Sequence, residues 1–298
     1  MKKEIRNISV SVRNKLLNIA NESNRDYNAI LRQYFQERFL YRISISPYRS
    51  NFILKGAFLL MVNEISKFRP TKDIDFLVNT IFSEVEECTN IIKEIASINI
   101  EDGVEFVTEN ISGKRIKEDA DFEGVRIHIP YKMDTIKGYF SIDIGFGDKI
   151  TNGPFEIEFP VLLDFPSPKI FVYSLESAVA EKFEAIVKLN FITSRMKDFY
   201  DLIFIAKINS FNRNMLMDAI IKTFETRGTN LEDRNIIFDE DFRNNIQKQT
   251  QWQSFLQLNK LDEKISFSEA IIKIQSFIEP IFSNKLKNNW NPDKWEWE

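Results

Sequence analysis

The period of the hydrophobic pattern changes twice along the chain, and this change constrains the fold more than any other feature. Apolar residues in 8–42 recur every three or four positions, which predicts amphipathic helices. Apolar and polar residues then alternate over three stretches, 104–111, 124–131 and 138–147. Such alternation is typical of antiparallel strands with one buried face. From Leu175 the helical spacing returns almost to the end, so we expect an α+β protein.

These patterns divide the chain into three predicted parts. We expect an N-terminal helical arm over 1–50, a core with a mixed sheet over 51–168 and a C-terminal helical domain over 169–298. The Pro-rich stretch 164–168 marks the second boundary, and Ser174 is the expected N-cap of the helix that follows it.

Within the core, each of two short strands leads into a helix. The pattern predicts a strand over 51–54 with a helix over 56–65, and a strand over 73–78 with a helix over 83–98. Ser83 is the expected N-cap of the second helix, because Glu86 stands at the capping-box position.

Composition removes several classes of site. The 298 residues are 43% hydrophobic and include 27 Phe, which is enough for a packed core. One Cys and one His exclude cysteine zinc clusters and His-rich metal sites. No glycine-rich phosphate loop is present, and no apolar run approaches the roughly 18 residues of a membrane span. Carboxylates, lysines and arginines remain for chemistry, and we expect a cytoplasmic protein with no membrane partner.

Charge is unevenly distributed although the net charge is only −4. Residues 1–50 carry ten Lys or Arg and four acids, a net of +6, whereas residues 73–164 carry twenty acids and eight bases, a net of −12. One interpretation is that both are ordinary solvated faces. The other is a basic surface that approaches a polyanion beside acids that hold a cation.

Asp73 and Asp75 form the first carboxylate pair. Side chains alternate along a strand, so the two Asp share one face of 73–78 while Ile74 and Phe76 share the other. Like charges about 7 Å apart repel, and a divalent cation would neutralise them. A solvated strand remains the alternative.

Asp143 is a third candidate ligand. It lies opposite the apolar face of the strand over 138–147, between the small residues Ser141 and Gly145. If this strand neighbours 73–78, three carboxylates converge, which suits Mg²⁺ and allows a two-metal site. Upstream, Gly56 stands where a strand turns into a helix, and a helix N-terminus favours a phosphate.

These motifs occur in a fixed order, which is LKGA at 54–57, RPTKDIDF at 69–76, IDIGFGD at 142–148, EK at 181–182 and RMKDFYDL at 195–202. Over roughly 50–205 the chain resembles the AbiEii/AbiGii-type nucleotidyltransferase toxins of bacterial abortive-infection and toxin–antitoxin systems. The resemblance implies a polymerase-β-like nucleotidyltransferase core.

The resemblance also implies roles for individual residues. Asp73, Asp75 and Asp143 would be the metal-binding and catalytic carboxylates. Two further residues would be catalytic, Lys182 by contacting the triphosphate and Asp198 as the last acid. The nucleotide would be bound by Lys55, Gly56, Arg69 and Lys182.

The implied activity is an Mg²⁺-dependent transfer of NMP from an NTP to an acceptor hydroxyl with release of pyrophosphate. By resemblance the acceptor is the 3′ end of tRNA, which would block translation, and a cognate antitoxin protein is implied. One alternative is transfer to a protein or small-molecule hydroxyl. Another is a degenerate nucleotidyltransferase that binds RNA or a partner protein.

Overall fold

The computed structural model describes residues 8–64, 71–78, 83–119, 122–261, 265–283 and 287–298. The chain divides into two compact units, of which the first contains Met1–Gly147 and Pro154–Val172, and the second Asp148–Gly153 and Tyr173–Glu298. None of the described helices combines the length and the apolar character needed to cross a membrane.

Four α-helices and eight strands make up the described part of the first unit. The helices are α1 (Ile8–Ser23), α2 (Tyr27–Ile45), α3 (Gly56–Glu64) and α4 (Val85–Ala96). The strands are β1 (Phe52–Lys55), β2 (Asp73–Val78), β3 (Glu105–Phe106), β4 (Ser112–Asp119), β5 (Phe122–Met133), β6 (Ile136–Gly145), β7 (Phe155–Glu158) and β8 (Lys169–Val172).

The eight strands form one mixed sheet. Its order is β3-β5-β6-β2-β1-β8-β7, with β4 also paired to β5. The β2–β6 and β1–β8 pairs are parallel, and the remaining pairs are antiparallel. Among the described strands, β4 pairs with β5 alone and so forms an edge. The mixed sheet with its helices confirms the α+β class.

Helices α2 and α4 cover one face of this sheet. Phe35 of α2 stacks on Tyr131 with ring centroids 3.6 Å apart, and Phe39 meets Phe106 and Phe140 edge to face. These contacts bury the apolar side of β5 and β6. The polar residues that alternate with them are therefore directed to the opposite face.

Buried charge joins α2 to the segment before β3. The side chains of Arg38 and Arg42 are 2% exposed and lie 3.1 and 2.8 Å from Oδ2 of Asp102. Buried charges are stable only when paired in this way. Two of the ten basic residues in 1–50 are thus internal and do not present charge to a polyanion.

The second unit is mainly helical. Its α-helices are α5 (Leu175–Leu189), α6 (Met196–Ile208), α7 (Arg213–Arg227), α8 (Arg234–Phe238), α9 (Glu240–Arg243), α10 (Ile246–Leu258) and α11 (Phe267–Ile278). A small antiparallel sheet joins β9 (Phe211–Asn212), β10 (Asn289–Asn291) and β11 (Glu296–Trp297). Trp290 of β10 and Trp297 of β11 pack on Phe277 of α11.

Most of the predicted elements are confirmed, and the two capping predictions have different outcomes. β2 has the predicted bounds, and the Ser174 side chain caps α5 by accepting a hydrogen bond from the Ser177 N–H. The prediction of Ser83 as N-cap is wrong: α4 begins at Val85, with Glu84 at the N-cap and no side-chain hydrogen bond there.

Strand β4 was not predicted. The stretch 104–111 was expected to be a strand, but only Glu105–Phe106 pairs, and the longer strand follows at 112–119. β4 is an edge strand, and its residues Ser112, Lys114 and Arg115 are exposed. Because neither alternate set of residues is consistently apolar, the sequence carries no period-two hydrophobic signal.

Glu37 on α2 predicts a pH dependence of stability. Its carboxylate is fully buried and accepts hydrogen bonds from the Leu162 N–H and from Gln33. Burial raises its pKa to about 7 against the opposing effects of these bonds and of Arg38 and Arg25. The folded state therefore binds this proton more tightly than the unfolded state does, so stability is highest below about pH 4.5 for this group and falls as pH rises through 7.

We expect this group to lower the free energy of unfolding by roughly 3 kcal/mol between pH 5 and pH 8. Urea unfolding followed by circular dichroism across that range measures it. Glu37→Gln, which does not titrate, is the control and should show a flatter profile. An equal slope in both proteins would contradict the assignment to Glu37.

Candidate active site

The polar face of the sheet carries one straight row of charged residues across five strands. The row runs Lys114 (β4), Arg126 (β5), Asp143 (β6), Asp75 (β2) and Lys55 (β1), each directly opposite the next. Residues that face each other across neighbouring strands project to the same side of a sheet. Two carboxylates thus lie at the centre of the row, with cations on both sides.

The three predicted carboxylates are together in the first unit. Asp75 and Asp143 are register partners in the parallel pair β2–β6, and Asp73 lies one step along the same face of β2. Asp73 and Asp75 are half-buried while Ile74 and Phe76 are buried, which confirms the predicted division of faces. Asp143 is 6% exposed and so lies deeper than the other two.

Arg126 binds Asp143 through both carboxylate oxygens. Its Nε donates to Oδ1 at 2.7 Å and its Nη2 to Oδ2 at 2.6 Å, a bidentate pair. The same Nη2 lies 4.0 Å from Oδ2 of Asp73. The hydrogen bonds that Arg126 donates to Asp143, and the nearby negative charge, raise the pKa of Arg126, so the guanidinium is always charged.

Sequence reasoning missed Arg126, although a signal for it exists. Arg126 stands between the apolar residues Val125 and Ile127, so it must point to the polar face of its strand. Only two residues, 134 and 135, connect β5 to β6, and such a short hairpin connection fixes the register that places Arg126 opposite Asp143.

The carboxylates match the chemistry of a hard divalent cation, because Mg²⁺ prefers a few carboxylate oxygens. Among the described residues, however, no three Asp, Glu, His or Cys side chains stand as they would around a metal ion. Both oxygens of Asp143 are directed to the guanidinium of Arg126. The three carboxylates therefore fit the ion in donor type and in charge, and the guanidinium of Arg126 lies where the ion would bind.

Gly56 allows Asp75 to reach the start of α3. Gly56 has φ +66°, and a Cβ built on it would lie 2.6 Å from Cγ and 2.9 Å from Cβ of Asp75. A side chain at this position would displace the carboxylate. Lys55 precedes it, is 5% exposed and is the register partner of Asp75. Two of the four predicted nucleotide-binding residues thus adjoin the acid pair, whereas Arg69 lies outside the described residues.

The second unit contains the other two predicted site residues, Lys182 and Asp198, and they are in contact. Nζ of Lys182 lies 3.4 Å from Oδ1 of Asp198 and 2.7 Å from Oδ2 of Asp201. Arg195 donates through Nε to Asp198 at 2.5 Å. Burial acts to raise the pKa of Asp198, but the charges of Lys182 and Arg195 outweigh it and hold the pKa below its ordinary value.

Asp201 is as buried as Asp198 and lies closer to Lys182. The bonding pattern therefore assigns both acids to one ionic cluster and does not separate a structural acid from a catalytic one. The catalytic roles of Lys182 and Asp198 stay predictions.

A family model described as the nucleotidyl transferase AbiEii toxin of a type IV toxin–antitoxin system matches residues 38–273. Comparison with curated proteins gives no match. Among solved structures, JHP933 from Helicobacter pylori is similar with a TM-score of 0.52 and 15% identity, over 86% of this chain and 92% of that one. A protein from H. pylori described as a "putative nucleotidyltransferase" is similar with a TM-score of 0.46 and 15% identity, over 92% and 100% of the two chains.

The similarity to JHP933 shows a shared fold. The family match, which spans well over half of the chain, defines the class of protein as a nucleotidyltransferase. The chain belongs to the AbiEii toxin family of type IV toxin–antitoxin systems. The resemblance inferred from the motifs is confirmed.

Gly56→Ala tests whether the contact with Asp75 matters for activity. Gly228 has φ +64° and nothing within 4 Å of its would-be Cβ, so Gly228→Ala carries the same backbone strain without the overlap. We expect Gly228→Ala to lose about 1 kcal/mol of unfolding free energy and Gly56→Ala to lose more, because only there must a side chain move. Nucleotidyl transfer should fall at least about tenfold in Gly56→Ala only, because only there is a carboxylate displaced. Equal activities in the two variants would refute the contact's role.

Lys182→Met tests the ionic cluster of the second unit. Removing one partner of a buried ion pair leaves uncompensated charge, so we expect a loss of about 3 kcal/mol in urea unfolding. Adding Asp201→Asn to Lys182→Met should restore part of that loss. Lys222→Met, which removes an exposed pair with Asp218, is the control and should cost under about 1 kcal/mol. Similar losses for the two lysines would show that the cluster does not stabilise the fold.

Proposed function

We propose that the protein is an Mg²⁺-dependent nucleotidyltransferase toxin that moves NMP from an NTP to the 3′ end of tRNA and so blocks translation. The observation that supports this most is the pairing of Asp75 with Asp143 in neighbouring parallel strands, with Asp73 on the same face. Membership of the toxin family supports the nucleotidyl chemistry.

The proposed reaction is a substitution at the α-phosphorus of the NTP. The acceptor hydroxyl oxygen forms the new bond to phosphorus, the bond from phosphorus to the β-phosphate oxygen breaks, pyrophosphate leaves, and solvent takes the hydroxyl proton. Asp73, Asp75 and Asp143 would hold the divalent ion, which when bound neutralises charge on the phosphate oxygens. The rest of the catalysis is positioning and charge stabilisation by the chain itself.

The residues that would position the phosphates follow from the first unit's geometry and from the family pattern. Gly56 begins α3, and we assign it to the phosphates because the backbone N–H groups of a helix N-terminus favour an anion. Lys55 adds positive charge beside Asp75. We assign Arg69 and Lys182 to the triphosphate and Asp198 to catalysis on the family resemblance.

A tRNA acceptor requires cationic surface. The described part of the N-terminal arm offers Lys15, which is exposed, and Arg13, whose side chain is 38% exposed. Such side chains contact the RNA backbone without reading its sequence. The toxin–antitoxin family supports a cognate antitoxin as the partner that relieves toxicity.

Two other functions remain as outcomes of the test below. One keeps the chemistry and transfers NMP to a protein or small-molecule hydroxyl. The other is a degenerate enzyme that binds RNA or a partner protein, and it predicts that toxicity survives loss of all three carboxylates.

The deciding measurement incubates purified protein with each α-³²P-labelled NTP, Mg²⁺ and total tRNA, and resolves the products on a denaturing gel. We expect a labelled tRNA band, reduced at least about 100-fold in Asp75→Asn because a group that stabilises the transition state is lost. Asp218→Asn, a change in an exposed surface pair, should keep full activity. Label on protein or small molecules would identify another acceptor, and no label with added cell extract would favour the binding protein.

A further inference from the structure

Arg126 bonds directly to the carboxylate cluster, and none of the roles assigned above uses it. Its side chain is 39% exposed whereas that of Asp143 is 9% exposed. The guanidinium thus reaches from the solvent side onto a nearly buried acid.

A divalent ion and this guanidinium need the same atoms. Arg126 uses both oxygens of Asp143, and an Mg²⁺ ligand must present an oxygen to the ion at about 2.0–2.1 Å. The two cations would also repel each other at this short separation. Arg126 and the ion therefore compete for the oxygens of Asp143.

The row of charges also places a second cation beside Arg126, on the side away from the acids. Its register partner on the other side is Lys114 of the edge strand β4, so two cations lie side by side on the polar face next to the acids. A guanidinium presents a planar set of donors that matches two phosphate oxygens, and it loses little on exchanging a carboxylate for a phosphate. A triphosphate brought to the acids would lie within this cationic field.

We propose that Arg126 is paired with Asp143 in the metal-free protein and that a divalent ion displaces it. The released guanidinium then binds a phosphate of the nucleoside triphosphate. Arg126 is thus a counter-ion in one state and a substrate ligand in the other. Asp143 keeps an ion-pair partner in the metal-free state, and this third carboxylate becomes a metal ligand only as the ion arrives. The inference rests on the proposed function for its substrate, although the competition at Asp143 is independent of it.

The first test measures Mn²⁺ binding by electron paramagnetic resonance without nucleotide. We expect Arg126→Gln to bind Mn²⁺ at least tenfold more tightly than the unmodified protein, because the competing cation is gone. Lys114→Gln removes a charge from the same row without removing a bond to Asp143, and its affinity should stay within about twofold. Equal or weaker binding by Arg126→Gln, or no binding by any variant at millimolar Mn²⁺, overturns the exchange.

A double change guards against a variant that fails to fold. Arg126→Gln leaves Asp143 with one partner fewer, whereas Arg126→Gln with Asp143→Asn removes both charges of the pair. In the double variant the gain in Mn²⁺ affinity should disappear. If the tighter binding persists without the Asp143 carboxylate, the competition lies elsewhere and the proposal is wrong.

The second test titrates a non-hydrolysable NTP analogue with saturating Mg²⁺. Arg126→Gln should bind it at least tenfold more weakly, whereas Arg126→Lys should be intermediate, because the charge stays but the bidentate geometry is lost. Unchanged affinity in Arg126→Gln overturns the phosphate role. An unmodified protein that shows metal competition but binds no analogue refutes the proposed transfer reaction while leaving the exchange at Asp143 intact.

Discussion

The parallel pairing of β2 with β6 determines what the polar face of the sheet can do. This register sets Asp75 opposite Asp143 and Ile74 opposite Ile142, so the charged residues share one face and the apolar residues share the other. A slip of one residue would place a carboxylate opposite an isoleucine in the core. Burial of Ile74 and Ile142 thus stabilises the same register that brings the acids together.

Cations at fixed positions along the row reduce the electrostatic repulsion between the neighbouring carboxylates. Lys55 and Arg126 flank the acid pair on opposite sides, each held by its own strand rather than by a mobile loop. The second unit uses the same solution in a helical setting, where Lys182 lies between Asp198 and Asp201. In both places a buried carboxylate is tolerated because a cation is built in beside it.

The sequence predicted the structure well where neighbouring residues in the chain determine a residue's environment. The alternation in 73–78 predicted the bounds of β2 and the face of its two Asp, and Ser174 signalled the start of α5. It was uninformative for β4, whose exposed edge position removes the hydrophobic signal, and for the position of Ser83, where the helix starts later than its capping residues suggest. Arg126 was only partly predictable. Its face follows from one strand, but its place opposite Asp143 follows only when β5 and β6 are aligned as a hairpin.

The edge position of β4 has a consequence for the behaviour of the protein in a crowded solution. An unpaired strand edge offers backbone donors and acceptors to any other extended chain, and proteins commonly prevent such association with lysine and arginine. Lys114 and Arg115 project from opposite sides of β4 and are both exposed, Arg115 in an ion pair with Glu84, so an approaching strand meets charged side chains on either face. The side chain that extends the cationic row thereby also protects the sheet from growing into an aggregate.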